Sequence, residues 1–192
     1  MVATGPTPAM VRAPKPIVVG REDELARLQS WYSHVLEGQR RIIFVTGEAG
    51  IGKTTFVQTF LDSVQQESTA RVGRGQCVEQ YGGGEPYMPV LEALSRLGQE
   101  PGGERVVEVL DRFAPTWLAQ MPELSAPEER GRLQDQHQGV TQQRMVRELA
   151  QTLEALAADT PLVLLLEDLH WSDFSTLDLI SVIARRSEAA WS

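Results

Sequence analysis

Apolar side chains along this chain switch repeatedly between helical and strand-like spacing. Leu25, Leu28, Tyr32, Val35 and Leu36 recur at helical intervals, and Glu22, Asp23 and Glu24 occupy the first turn, where the helix dipole favours anions. Gly38 stops that pattern. Residues 41–46 (RIIFVT) are a β-branched and aromatic run that reads as a buried strand. A glycine-rich turn follows, then a helix predicted over about 53–66 with Phe56, Val57, Phe60, Leu61 and Val64 inward. Residues 70–78 read as a second strand, and Gly82, Gly83, Gly84 and Pro86 as a loop. Pro89 opens a helix carrying Val90, Leu91, Leu94 and Leu97, and residues 106–113 suggest another. The Pro-, Gln- and Glu-rich stretch 114–139 has no assignable period. A further helix is predicted over about 141–158, striped by Met145, Leu149, Leu153 and Leu156. Pro161 then introduces residues 162–166, a continuous apolar run that fits a fully buried parallel strand. A last helix over about 174–186 places Leu177, Ile180 and Ile183 on one face, with Ser172 or Asp173 as its cap. Strands alternating with helices indicate an α/β domain with a mostly parallel sheet.

Composition narrows the class. The 192 residues carry 18 Lys+Arg against 26 Asp+Glu, a formal charge of −8, and 42% hydrophobic residues, as in an ordinary globular chain. A domain this long buries roughly 70% of its unfolded surface and needs neither disulfides nor metal to hold a core. The single cysteine, Cys77, excludes a disulfide framework and a Cys-based zinc cluster, and it fits a reducing, cytoplasmic setting. Residues 1–16, with four prolines and no apolar core of their own, read as a disordered leader. The longest apolar run is far short of the roughly 20 residues that span a bilayer. Acidic balance, with basic pairs only at Arg40-Arg41 and Arg185-Arg186, argues against direct nucleic-acid contact. Of the 18 basic residues, 16 are Arg and only Lys15 and Lys53 are Lys, which draws attention to each lysine.

Lys53 lies in the strongest motif of the chain. Gly47-Glu48-Ala49-Gly50-Ile51-Gly52-Lys53-Thr54 matches GxxxxGK[ST] between a predicted strand and a predicted helix. Glycines let the backbone curl so that successive N–H groups face a polyphosphate, and the following helix adds its positive end. In that frame Lys53 reaches the β- and γ-phosphates and the Thr54 hydroxyl ligates Mg²⁺, while Thr55 offers a hydroxyl or N–H to the α-phosphate. Residues 162–166 end in Glu167 and Asp168, a carboxylate pair able to hold Mg²⁺ or its water and to orient the attacking water. Other chemistries lack their residues. The chain has no asparagine, so the guanine-reading NKxD is excluded. It also has no LSGGQ-like element and no GxSxG nucleophile elbow, and two adjacent carboxylates cannot flank a sugar.

Two further elements point to a family. Val19-Gly20-Arg21-Glu22-Asp23-Glu24-Leu25 before the phosphate loop, and Glu167-Asp168-Leu169-His170-Trp171-Ser172-Asp173 after the acidic strand, resemble the STAND class of P-loop NTPases. More narrowly, they resemble the AAA ATPase domain that begins large ATP-binding LuxR-type regulators and some multidomain cyclases and kinases. Gly75-Gln76-Cys77-Val78-Glu79 with Pro86-Tyr87-Met88-Pro89 is similar to the second strand of that family and its following loop. The resemblance runs from about Val18 to Arg186 and is loose over 99–139. It implies a three-layer, ASCE/AAA-like P-loop fold in residues 17–192, ATP or ADP with Mg²⁺ as ligands, and Val19, Gly20 and Arg21 near the adenine and ribose. Glu167 falls where the magnesium-side carboxylate stands and Asp168 where the second acid stands. Because glutamate is one methylene longer, which of the two serves Mg²⁺ stays open. His170 and Trp171 read as packing residues, Cys77 as a small buried hydrophobe, and Tyr87 as an aromatic that anchors its loop.

The family continues with a sensor strand and a helical lid, so residues 17–192 are expected to form a partial domain. The expected function is a nucleotide-dependent switch for a larger signalling or transcription regulator, with further C-terminal domains or an effector as partner. A self-sufficient ATPase and a non-catalytic interaction remnant are the alternatives, and hydrolysis by this chain alone is expected near background. In the resembled fold the sensor strand separates the phosphate-loop strand from the acidic strand. An empty slot would leave two unpaired edges about 9–10 Å apart. The expectation is either a gap or direct closure of the two edges, with self-association as the consequence in solution.

Overall fold

In the computed structural model, which describes residues 20–67, 70–79, 85–125 and 141–189 with side chains through Arg185, the sheet consists of two strands. β1 (Arg71–Gln76) and β2 (Leu162–Glu167) run parallel, with Arg71 opposite Leu162 and Gln76 opposite Glu167. Helices α1 (Glu22–Leu36) and α2 (Lys53–Glu67) precede β1. Between the strands come α3 (Met88–Gln99), α4 (Glu104–Phe113), the short α5 (Pro115–Leu118), a 3₁₀ turn (Pro122–Leu124) and α6 (Gln142–Asp159). A second 3₁₀ turn (Leu169–Trp171) and α7 (Phe174–Ala189) follow β2. The expected leader 1–16, the loop glycines 82–84 and most of the unassigned 114–139 stretch lie outside the described residues.

The apolar run of β2 is continuous because its alternate side chains enter two different cores. Leu162, Leu164 and Leu166 pack on a large cluster built from α3 to α7, whereas Val163 and Leu165 pack on a cluster from α1, α2 and Val72 of β1. The strand was expected to be fully buried, yet every residue of it is half-buried. Only one of its edges is paired among the described residues, and an unpaired edge leaves both faces partly open.

The strand expected over 41–46 is the main correction. The segment makes no ladder with β1 or β2, and Ile42, Ile43, Phe44 and Val45 are exposed, Phe44 by 64%. β-branched content favours an extended backbone, but a strand exists only when a neighbour accepts its N–H and C=O groups. The segment and β2 do not close directly on one another, and no third strand is present among the described residues.

Two glycines decide how α3 sits. Gly73 and Gly75 share the face of β1 turned to α3. A Cβ at Gly75 would lie 1.7 Å from the Pro89 carbonyl oxygen, and one at Gly73 would lie 2.8 Å from Leu97 Cδ1. Helix backbone therefore rests directly on strand backbone. Behind α3, Trp117 is fully buried, donates from Nε1 to the Met145 carbonyl at 2.9 Å, and lies 5.2 Å from the Tyr87 ring. The Glu148 carboxylate, also buried, accepts from Thr116 N–H (3.1 Å), Thr116 Oγ1 (2.9 Å) and Arg144 Nε (2.7 Å). These bonds fix the first turn of α5 in a stretch whose sequence carries no period.

Two helix starts are capped by side chains. Thr141 Oγ1 accepts from Arg144 N–H at 3.2 Å and starts α6. Asp173, rather than Ser172, caps α7 by accepting from Thr176 N–H at 2.9 Å. The inward stripe of α7 is only partly the predicted one. Ile183 packs on the core as expected, with Val182 beside it and Thr176 and Leu179 fully buried, whereas Leu177 is exposed because no described element covers that side.

Candidate nucleotide site

The phosphate loop leads straight into α2, whose first residue is Lys53. Three of its glycines have positive φ: Gly47 (151°), Gly50 (78°) and Gly52 (88°), with Gly50 and Gly52 in conformations that any Cβ would strain. Ile51 N–H donates to the Glu48 carbonyl at 3.4 Å, and Phe56 N–H to the Gly52 carbonyl at 3.0 Å, which begins the helical ladder. The Lys53 ammonium turns back and donates to the carbonyl oxygens of Gly47 and Glu48, each at 2.9 Å. A cation thus stands at the mouth of a curled backbone on a helix N-terminus, the arrangement that attracts phosphate. Ala49, Thr54 and Thr55 are exposed, leaving both hydroxyls accessible to a ligand.

Arg21 ties the Gly-Arg-Glu element to this loop. Its Nη2 donates to the Ile51 carbonyl at 2.8 Å, and its guanidinium lies 6.0 Å from the Phe56 ring centroid. Gly20 (φ 80°) donates its N–H to Glu22 Oε1 at 3.1 Å, and the backbone N–H of Glu22 first, then that of Gly20, hold the Glu22 carboxyl below its usual range. Val19 lies outside the described residues.

The carboxylate pair sits at the end of β2. The Glu167 carbonyl accepts from Cys77 N–H at 3.0 Å, extending the ladder past β1. Asp168 has φ 55° and ψ 40°, a left-handed conformation that few residues other than glycine adopt. Its Oδ2 accepts from Gln76 Nε2 at 3.0 Å, and Gln76 N–H donates to Glu92 Oε2 of α3 at 2.7 Å, while Glu92 also pairs with Arg96. Gln76 was not singled out from sequence, and no local signal marks it: only the parallel register sets it opposite Glu167 and beside Asp168.

Among the described residues no hydrogen bond joins the loop to Glu167 or Asp168, and no group of three or more His, Cys, Asp and Glu side chains converges to hold a metal by itself. The donor set that is present, one hydroxyl and carboxylate oxygens, consists of hard oxygen ligands of the kind Mg²⁺ takes together with phosphate oxygens and water. Around the site, Cys77 is buried, and burial first, then the nearby carboxylates of Asp173, Asp168 and Glu92, pushes its thiol up. Tyr87 is buried, its N–H bonded to Asp173 Oδ2 at 3.3 Å, so it anchors its loop. His170 and Trp171 were expected to pack. They are instead exposed, because the 3₁₀ turn that carries them has no described partner above it.

A phosphate loop feeding a helix, beside a parallel strand that ends in acids, defines a P-loop NTPase-type domain. The model of the AAA ATPase domain family matches residues 17–192, and the chain belongs to that family. The chain is 26% identical over 188 residues to an uncharacterized protein of Rhizobium meliloti (strain 1021), an alignment covering 88% of this chain and 17% of that protein. It therefore spans about a sixth of that relative's length. No solved structure gives a significant match. No helix among the described residues is long and apolar enough to cross a membrane.

Proposed function

We propose that this domain is an ATP-binding switch of the STAND type, built on a three-layer ASCE/AAA-like scaffold, whose nucleotide state controls an attached effector in signalling or transcription within the cytoplasm. The observation that carries the nucleotide reading is the loop itself: three positive-φ glycines curl it, and Lys53 is already held on two of its carbonyls. The backbone N–H groups of 47–54 take the polyphosphate, and Lys53 exchanges its carbonyl partners for β- and γ-phosphate oxygens. Thr55 serves the α-phosphate, and Gly20 and Arg21 belong to the periphery of the same site.

Mg²⁺ would be held by Thr54 with Glu167 or Asp168, and it would neutralise charge on the phosphates. Gln76 holds one oxygen of Asp168, which favours Asp168 for orienting a water and Glu167 for the metal. Calorimetry with Mg·ATP and Mg·ADP tests the reading, with Lys53→Ala as control. Binding by the wild type that Lys53→Ala abolishes supports it, and equal behaviour of the two proteins overturns it. Robust turnover abolished by Glu167→Gln or Asp168→Asn would favour a self-sufficient ATPase over a switch.

A further inference from the structure

Arg21 makes two contacts with the segment that forms the phosphate loop and the start of α2. Its guanidinium faces the ring of Phe56, a buried residue in the first turn of α2, and its Nη2 is bonded to the Ile51 carbonyl. One residue thus braces the phosphate loop against the helix that the loop feeds. The peptide it grips is the one that carries the Gly52 N–H. In a trans peptide the C=O and the next N–H point to opposite sides, and no described peptide bond is cis. Holding the Ile51 carbonyl toward Arg21 therefore aims the Gly52 N–H away from Arg21. Gly52 at φ 88° has no Cβ to resist a peptide flip, and the Arg21 bond to the Ile51 carbonyl opposes one from outside the loop.

We infer that Arg21 is a positioning residue for the phosphate loop: it acts on the bound polyphosphate through the Ile51–Gly52 peptide. This rests on the nucleotide-binding reading above. It distributes the work between the two cations of the site. Lys53, bonded to Gly47 and Glu48, is the one released to the phosphates when they arrive. Arg21 stays on Ile51 in both states and keeps an N–H donor aimed into the loop.

The test uses the full chain and two probes, Mg·ATP and Mg·tripolyphosphate, the second having neither base nor ribose. Arg21→Met keeps an apolar stem over Phe56 and deletes the donor, and Arg21→Ala deletes both. Loss of one charge-assisted hydrogen bond weakens binding about tenfold. The expected result for Arg21→Met is that loss for both probes alike. It persists in 0.5 M salt, where through-space charge effects are largely screened, and faster amide exchange is confined to 47–54 at unchanged melting temperature. Arg21→Ala should lose at least as much for both probes. A loss seen with Mg·ATP alone would assign Arg21 to the base or ribose and overturn the inference, as would a loss that vanishes in high salt or no loss at all. If the wild type binds neither probe and matches Lys53→Ala, the nucleotide reading itself fails and this inference falls with it.

Discussion

Replacing Gly75 by alanine tests whether α3 truly rests backbone-on-backbone against β1. The added Cβ would stand 1.7 Å from the Pro89 oxygen, 2.6 Å from its carbonyl carbon and 3.0 Å from its Cα. An ordinary carbon–oxygen contact needs about 3.2 Å, so the first turn of α3 must retreat by about 1.5 Å, and backbone cannot rotate aside as a side chain does. That retreat loosens Ala93, Leu94 and Leu97, all buried against the same sheet. Overpacking costs about 1–3 kcal/mol and occasionally more, and a rigid backbone clash belongs at the upper end, offset by about 0.4–1 kcal/mol from the reduced freedom of the unfolded chain. The net expectation is about 2.5 kcal/mol, a large share of a typical stability of about 5–15 kcal/mol.

Gly73→Ala is the internal comparison. Its Cβ meets the tips of Leu164 and Leu97 at 2.8 Å, atoms that can swing, so about 1–2 kcal/mol is expected there. Urea unfolding followed by tryptophan fluorescence, with buried Trp117 among the reporters, measures both. At a slope of about 2.5 kcal/mol/M, Gly75→Ala should lower the midpoint by about 1 M. A Gly75→Ala midpoint within 0.2 M of wild type at an unchanged slope, or a larger effect at Gly73, would refute the close approach.

Glu148→Leu should cost about 2–4 kcal/mol in the same assay, because it strands the buried Thr116 N–H and hydroxyl, and Glu148→Gln should cost less. Gly50→Ala and Gly52→Ala force a side chain to φ 78° and 88°, worth about 1 kcal/mol each. Calorimetry should therefore show weaker nucleotide binding with little change in the helical core. Cys77, buried and with its thiol pushed up, should react with a disulfide reagent at neutral pH far more slowly folded than in denaturant, and equal rates would contradict its burial. Ile42 to Val45 should drive concentration-dependent association, measured by sedimentation velocity, which Phe44→Lys reduces; a wild-type protein monomeric at all concentrations counts against this.

Local chemistry was legible in the sequence wherever a residue acts on its immediate neighbours. The glycine spacing of 47–52, the lysine at 53, the acids ending β2, and the cap expected at Ser172 or Asp173 are all short-range devices, and the structure builds the turns and the helix start they imply. Helix spans followed as well, since apolar periodicity reports one face of one element. Tertiary structure decided what depends on a distant neighbour. RIIFVT carries strand propensity, yet a strand exists only where an edge pairs with it, and the segment pairs with neither β1 nor β2. The inward face of α7 turned to Thr176 and Leu179 because the core lies there, although Leu177 had equal apolar claim. Gln76 acquired a role only when parallel pairing brought the end of β1 beside Asp168, 92 residues further along the chain. Propensity is a property of a residue, whereas a ladder, a buried face and a bridging side chain are properties of two segments at once.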